Sequence, residues 1–387
     1  MLEKSAAPNA WLGRRLSFYY IAYFSVIGIQ MPFWPVWLSG QGLDARAIGD
    51  LVTVSIVARI IITPSIAYLA DIRGERKRLI VALGVLSLCS FALFYWAHSF
   101  WSLLLVSLIF YPAFSGSMPL TENLTMTVVR TRGLDYGRIR LWGSVSFIVL
   151  AYVTGRVLVD MPNSSIFWLM LASIAVLVLS GIGLPDVVPE RMERARTPLR
   201  TLLSNRPFVT FLVATTFIQA SHGVYYVVGT LHWQSVGYSD DVIGALWGEG
   251  VVAEVLLFLF STRIVRRLSP VHLIMLAGLG GVIRWTLTGM TDHLTVIVIA
   301  QLLHALTYAS IHIGAMNLIA RTIPPSISAT AQSLYSALAM GLGTGIATFT
   351  SGRLYTAMGS DSYFVMSVLA GLGAITALMI RPKEPMR

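Results

Sequence analysis

One cysteine, Cys89, stands in the whole sequence, and it lies inside an apolar run. No disulfide can close within the chain, and nothing about redox compartment can be read from it. Charge is scarce as well. Asp, Glu, Lys and Arg make up 12% of residues, against roughly 25% in an ordinary soluble domain. No HExxH, GxSxG or P-loop pattern occurs, and no Cys/His cluster has metal-ligand spacing, so neither a metal site nor an enzyme is expected. The connections between apolar runs are too short to house a soluble catalytic or signalling domain, which counts against a membrane enzyme or sensor. The first residues, MLEKSAAPNAWLGRRL, carry charges and a proline where a cleaved signal peptide would have a short apolar core and a small-residue cleavage site, so none is expected.

What the chain has instead is apolar length. Its 387 residues are 56% hydrophobic with mean hydropathy +0.72, the composition of an integral membrane protein. A net charge of +10 does not point to nucleic acid, because Lys and Arg fall in short clusters between apolar runs and build no single basic face. The lipid bilayer is the expected partner. Twelve apolar runs follow one another, from Leu16–Gly40 to Tyr363–Ile380. Each is long enough, at about 1.5 Å per residue, to cross a hydrocarbon layer of about 30 Å. All twelve are expected to be helices, since open strands and irregular backbone leave hydrogen bonds unmade in lipid. Alternate connections hold Arg73, Arg76, Lys77 and Arg78, then Arg130, Arg132, Arg138 and Arg140, then Arg263, Arg266 and Arg267. The opposite connections hold Arg46, Asp240, Asp241, Asp292, His293 and Asp361. The positive-inside rule therefore places both termini in the cytoplasm. The expectation is a multi-pass monomer in the cell's inner (plasma) membrane.

The stretch Pro185–Pro207 (PDVVPERMERARTPLRTLLSNRP) is charged and punctuated by proline. It divides six spans from six: an N-terminal six-helix bundle over 1–184, a cytoplasmic central linker over 185–207 and a C-terminal six-helix bundle over 208–387. Two short echoes support a duplication. The run from Gly42 to Leu51 resembles that from Gly237 to Leu246, and Gly155-Arg156 resembles Gly352-Arg353, each pair at the same relative span. A transporter of two bundles is the economical explanation.

Glu254, Arg284 and His304 stand one each in three successive apolar runs. Ionisable groups inside a membrane cost several kcal/mol unless they face a cavity and find partners, so they mark function by default. Burial favours the protonated, neutral form of a carboxyl, and an approaching guanidinium favours the ionised form. A conformational change that moves Arg284 can thereby load and unload a proton on Glu254. The alternative is a permanent Glu254–Arg284 pair that only fixes helix packing. Polar residues at helical spacing mark further cavity-facing stripes: Gln301, His304, Tyr308 and His312; Thr215, Gln219, His222 and Tyr226; Ser55, Arg59 and Thr63; Ser115, Met118, Glu122 and Thr125; and Tyr20, Tyr23, Gln30 and Trp34. For His222 or His312 taken singly, hydrogen bonding between helices is the plainer reading.

The connection Ala67-Tyr-Leu69-Ala70-Asp71-Ile-Arg73-Gly74-Glu-Arg76-Lys77-Arg78 resembles the signature loop of the major facilitator superfamily, with Ala67, Ile72 and Glu75 departing from its pattern. The resemblance implies a conformational latch, so Asp71, Gly74, Arg76 and Lys77 are expected to act in gating. Pro32-Phe33, Tyr136 to Ser144, Ala253-Glu254, Arg284-Trp285, Leu303-His304 and Ala329 to Gln332 look like the phenylpropionate permease group within that superfamily, relatives of lactose permease. This implies a proton symporter with Glu122, Arg140 and Glu249 at the substrate and Arg284 and His304 in proton coupling. One departure stands out. Thr307 occupies the place where those relatives carry a proton-bearing glutamate, which leaves Glu254 as the candidate carrier.

The charges in or at the edge of the membrane are Arg59, Arg140, Arg156, Arg284 and Arg353 against Asp50, Glu122, Glu249 and Glu254. With Glu254 protonated a positive surplus remains, which suits an anion with an apolar body. Its carboxylate would lie near Arg59 or Arg140 and its ring against Tyr23, Trp34 or Trp142. Gln30, Gln219 and Tyr308 complete the expected substrate-binding set. An aromatic carboxylate such as phenylpropionate agrees with the resemblance, while a sugar or nucleoside symporter and a drug/proton antiporter stay open. No cofactor is expected beyond the coupling proton.

Overall fold

The computed structural model describes residues 6–186 and 202–380, apart from the side chains of residues 6–9, 71, 325, 326 and 329. Most of the expected linker at 185–207, and the side chain of Asp71, lie outside the described residues. Every regular element among them is helical. In chain order these are α1 (Ala6–Gly40), α2 (Ala45–Arg73), α3 (Arg76–Ala92), α4 (Phe100–Arg132), α5 (Tyr136–Asp160), α6 (Ser165–Ile182), α7 (Arg206–Ala220), α8 (Gly223–Ser235), α9 (Asp240–Leu259), α10 (Ser261–Arg267), α11 (Pro270–Met290), α12 (Leu294–Leu302), α13 (Ile311–Thr322), α14 (Pro325–Tyr335), α15 (Thr344–Met358) and α16 (Ser362–Leu378).

Among the described residues, eleven apolar helical stretches are long enough to cross a membrane. The last, Thr330–Leu378, runs for 49 residues, more than twice what one crossing needs, and it is broken at Gly359, where φ is +57°. It holds two crossings, which gives the twelve expected from sequence. Two π-helical turns interrupt the late spans, Ala305–Ser310 between α12 and α13 and Ser336–Gly343 between α14 and α15. Large apolar side chains such as Ile61, Trp101, Leu105, Leu179, Val368 and Ile375 are exposed along the helices. That surface belongs in lipid, since soluble proteins rarely show apolar patches of this extent.

Among the described residues the chain divides into two compact units, one of 6–43, 54–186 and 239–248 and another of 44–53, 202–238 and 249–380. In the first, α1 packs along α5 and α6, and α3 packs on α4 and α6. Its interior is an aromatic lattice in which Trp34 stacks on Trp37 and meets Phe91 and Phe94, with Phe110 and Phe167 beyond. The first turns of α9 lie against α5, and glycine makes this possible: a Cβ on Gly155 or Gly244 would collide with the backbone of Asp240 or Ala151.

In the second unit, α11 and α16 pack face to face through small residues. A Cβ on Gly278 would come within 2.8 Å of the Ala374 nitrogen, and Gly281 abuts Ala370. α7 runs into α8 through a break at Ser221 and His222. The first turns of α2 lie against α15, where Asp50 takes two hydrogen bonds from Arg353 (2.6 and 3.1 Å) and the Thr53 and Thr348 hydroxyls meet at 3.0 Å. Between α2 and α3 the chain turns at Gly74 (φ +70°), and Arg78 closes a surface ion pair with Glu75 at 2.6 Å.

Candidate functional site

The second unit holds a buried polar network centred on Arg284. Ser269 starts α11 by accepting a hydrogen bond from the His272 N–H, with Pro270 in the first turn. Four turns on, the helix delivers Arg284 to a position with 0% exposure. The guanidinium donates to His304 Nδ1 (3.0 Å), Thr307 Oγ1 (3.1 Å) and Gln301 Oε1 (2.7 Å). Gln301 in turn donates to the Tyr225 hydroxyl at 2.9 Å. The rings of Trp285 and Tyr225 lie 4.4 and 4.9 Å from the guanidinium carbon, in cation–π geometry. Every hydrogen-bond partner of Arg284 among the described residues is neutral or can be, and Nε finds none at all.

Hydrogen-bond logic assigns the ring protons. Arg284 can only donate, so His304 Nδ1 accepts and the proton of the neutral ring sits on Nε2. That Nε2 faces the Glu254 carboxylate of α9 at 3.6 Å. His304 therefore stands between Arg284 and Glu254, one nitrogen toward each. His222 Nδ1 faces the Ile218 carbonyl at 3.1 Å and must carry a proton there, which leaves Nε2 to accept from the Thr307 hydroxyl at 3.2 Å. Thr307 is thus a hub: it accepts from Arg284 and donates to His222. Trp285 Nε1 closes the floor on Ser221 Oγ at 3.0 Å, and Tyr308 stacks on His304 with ring centroids 5.4 Å apart. The π-turn begins directly after His304. Such turns gather at functional sites because they re-aim side chains within a helix.

The first unit holds a second polar cluster. Arg140 of α5 approaches Glu122 of α4 at 3.8 Å, and the Tyr136 hydroxyl donates to Glu122 Oε2 at 2.7 Å. Arg140 lies over the ring of Phe24 (3.9 Å), with Tyr20 farther at 5.7 Å. Arg59 is exposed and bears on Tyr23 and Tyr111, and the half-buried Gln30 lies beside Tyr111.

Not every expected site residue joins these clusters. Trp34 is 2% exposed, with Trp37 on one face and Phe91 and Phe94 around it, so its ring is interior packing and no platform for a ligand. Tyr23 is buried and stacked on Phe114 at 4.5 Å, yet stays within electrostatic reach of Arg59, Arg140 and Glu122. Trp142 is exposed on a stripe with Val145, Val149 and Tyr152, about 200° around α5 from Arg140 at 100° per residue, so the two side chains do not share a face. Gln219 is buried and bears on Tyr335, away from Arg284. Glu249 is half-buried, and it sits five residues before Glu254 on another face of α9. Tyr20, Phe24 and Tyr136 were missed as partners of the Arg140 cluster, and Tyr225 as a partner of Arg284. The i, i+4 pairs Tyr20/Phe24 and Tyr136/Arg140 were the available signal.

With this geometry in hand, comparison with known proteins is decisive. Residues 14–366 match the MFS_1 like family. The chain belongs to that family, and so to the major facilitator superfamily. It is 35% identical over 381 residues to the probable 3-phenylpropionic acid transporter of Escherichia coli (strain K12), covering 96% of this chain and 97% of that one. It is 24% identical to the maltose permease of Geobacillus stearothermophilus, over 95% of this chain and 94% of the permease. Among solved structures it is similar to the nucleoside transporter NupG, with TM-score 0.82 and 17% identity over 95% of this chain and 98% of that one. It is also similar to an inward-facing bacterial homolog of the human lysosomal transporter Spinster, with TM-score 0.73 and 14% identity over 97% of each chain. The protein is a multi-pass membrane transporter of the major facilitator fold that moves a small molecule, and not an enzyme.

Proposed function

We propose that this transporter is a proton-coupled symporter that imports a small aromatic carboxylate, of which 3-phenylpropionate is the leading candidate, by alternating access. The observation that carries the proposal is the setting of Arg284: a fully buried cation with neutral hydrogen-bond partners, one donor still unmade, and a carboxylate placed one imidazole away. A carboxylate substrate supplies the missing acceptor and countercharge, and the surrounding tyrosine and tryptophan rings offer apolar contact. The substrate for which the 35% identical relative is named agrees in chemical class. Glu254 is the proposed proton carrier. Thr307 cannot take that role because a hydroxyl does not hold a charge near neutral pH.

The rest of the proposal follows from sequence. Both termini lie in the cytoplasm of a cell whose inner membrane holds the protein as a monomer, the stretch 185–207 links two six-helix halves, and the turn at Asp71, Gly74, Arg76 and Lys77 gates the change between them. No cofactor takes part beyond the proton. A second reading rests on the Glu122–Arg140–Tyr136 cluster. Its paired acid, guanidinium and phenol suit the hydroxyls of a sugar or nucleoside, the solutes for which the maltose permease and the nucleoside transporter are named.

Proteoliposomes decide between these. Phenylpropionate should accumulate under an inward proton gradient and alkalinise the outside, and Glu254→Gln should abolish accumulation. Accumulation of maltose or uridine in its place moves the substrate to the second reading. Opposite signs of substrate and proton flux make the protein an antiporter.

A further inference from the structure

Below the Glu254–His304 pair the second unit opens into a cleft of about 460 Å³, lined by Ser261, Thr262, Arg266, His312, Met316 and Asn317. Its walls continue the two helix faces that carry the pair. On one side His304, Tyr308 and His312 advance by four residues at a time, and on the other Ser261 opens α10 just after the end of α9, the helix that carries Glu254. The faces stay in register: the Phe258 and His312 rings meet edge to face with centroids 6.2 Å apart, and Glu254 acts electrostatically on His312. Hydrogen bonding between helices is the plainer sequence reading of His312, yet among the described residues its side chain makes no hydrogen bond.

We propose that this cleft is the proton's way out and that His312 is the relay. The proposal deepens the symport reading above and rests on it. A space of this size with hydroxyl, amide, imidazole and guanidinium groups around it holds water. The Glu254 carboxyl gives its proton to a cleft water, and that water gives a proton to a ring nitrogen of His312. The resulting imidazolium releases it to solvent at the mouth, and Glu254 is left as a carboxylate. Of the charged groups around it, Glu254 of α9 acts on His312, and Arg266 of α10 lines the same cleft. No carboxylate among the described residues pairs with Arg263, Arg266 or Arg267, so α10 presents net positive charge at the mouth. That charge makes the imidazolium short-lived and biases release outward. Asn317 donates to the Ile313 carbonyl at 2.9 Å, which leaves its own carbonyl free to orient water.

The test uses the full chain in proteoliposomes with phenylpropionate and an entrapped pH dye. Substrate exchange needs no net proton release, whereas gradient-driven uptake does. In His312→Gln, uptake and dye-reported proton release should fall by about tenfold or more, the scale of a lost general acid–base group, with exchange within about twofold of wild type. Added imidazole should restore proton release in His312→Ala. Arg266→Gln should slow release without touching exchange. Wild-type net uptake in His312→Gln overturns the proposal, as does a parallel loss of uptake and exchange that imidazole does not relieve. A wild-type protein that shows no gradient-driven accumulation removes the symport reading and this exit together, which is a different result from either.

Discussion

Arg284 has five N–H donors in a fixed fork; its bonds to Gln301 and His304 fall on groups that sequence spacing placed on one helical stripe, and a third reaches Thr307, off that stripe. Two substitutions separate stability from transport here. Thr307→Val keeps the shape but leaves donors on Arg284 and an acceptor on His222 unmet, and should lower stability by about 1–3 kcal/mol. Thermal melting in detergent measures this as a drop in Tm. Gln301→Glu places a carboxylate where the amide oxygen stands 2.7 Å from the guanidinium. A permanent counterion then replaces one that should come and go, so Tm should rise while uptake is lost. Direct substrate-binding calorimetry should show the affinity gone as well. The residues most legible in the sequence were those whose chemistry conflicts with lipid, Glu254, Arg284 and His304. Aromatic candidates were not legible, because a tryptophan in an apolar helix looks the same whether it lines a cavity, faces lipid or fills a core. Trp34 fills a core, and Trp142 is exposed.

At the scale of elements, α11 is held in place by α16 through glycine and alanine, and this contact positions Arg284. Gly278→Leu forces a branched side chain against the Ala370 and Ala374 backbone. It should cost about 1–3 kcal/mol as overpacking, or more if the helices separate, with a lower Tm and a protein that loses binding despite an intact Arg284. Gly371→Ala, at a site with only one ordinary contact to Val282, should leave Tm unchanged and serves as the control. Helix number and helix ends were readable from apolar run length and charge clusters. The π-turn after His304 was not, because one extra residue in a turn changes the direction of side chains without changing composition. The break at Gly359 was anticipated only as the end of a run.

For the whole molecule, the positive charges that set orientation make a direct prediction. With Cys89 replaced by serine, a single cysteine at Arg132 should be protected from a membrane-impermeant maleimide in intact cells, and one at Asp361 should react. The reverse pattern would turn the protein over. Gly155-Arg156 and Gly352-Arg353 echo one another in sequence, but the two arginines differ: Arg353 pairs with Asp50, far away in sequence, whereas Arg156 pairs with Asp160 one turn along its own helix. A duplicated pattern fixes where a side chain starts. What it reaches depends on the partner helix, which the pattern does not contain.

The two-sided placement of His304 has one more consequence. While Nδ1 is engaged by a group that can only give protons, the ring has a single proton to trade, the one on Nε2 toward Glu254. A second proton can bind only after the guanidinium lets go. The imidazole therefore works as an interlock, in which charging the ring and gripping the arginine exclude one another, and a leak of protons without movement of the helices has no route through it.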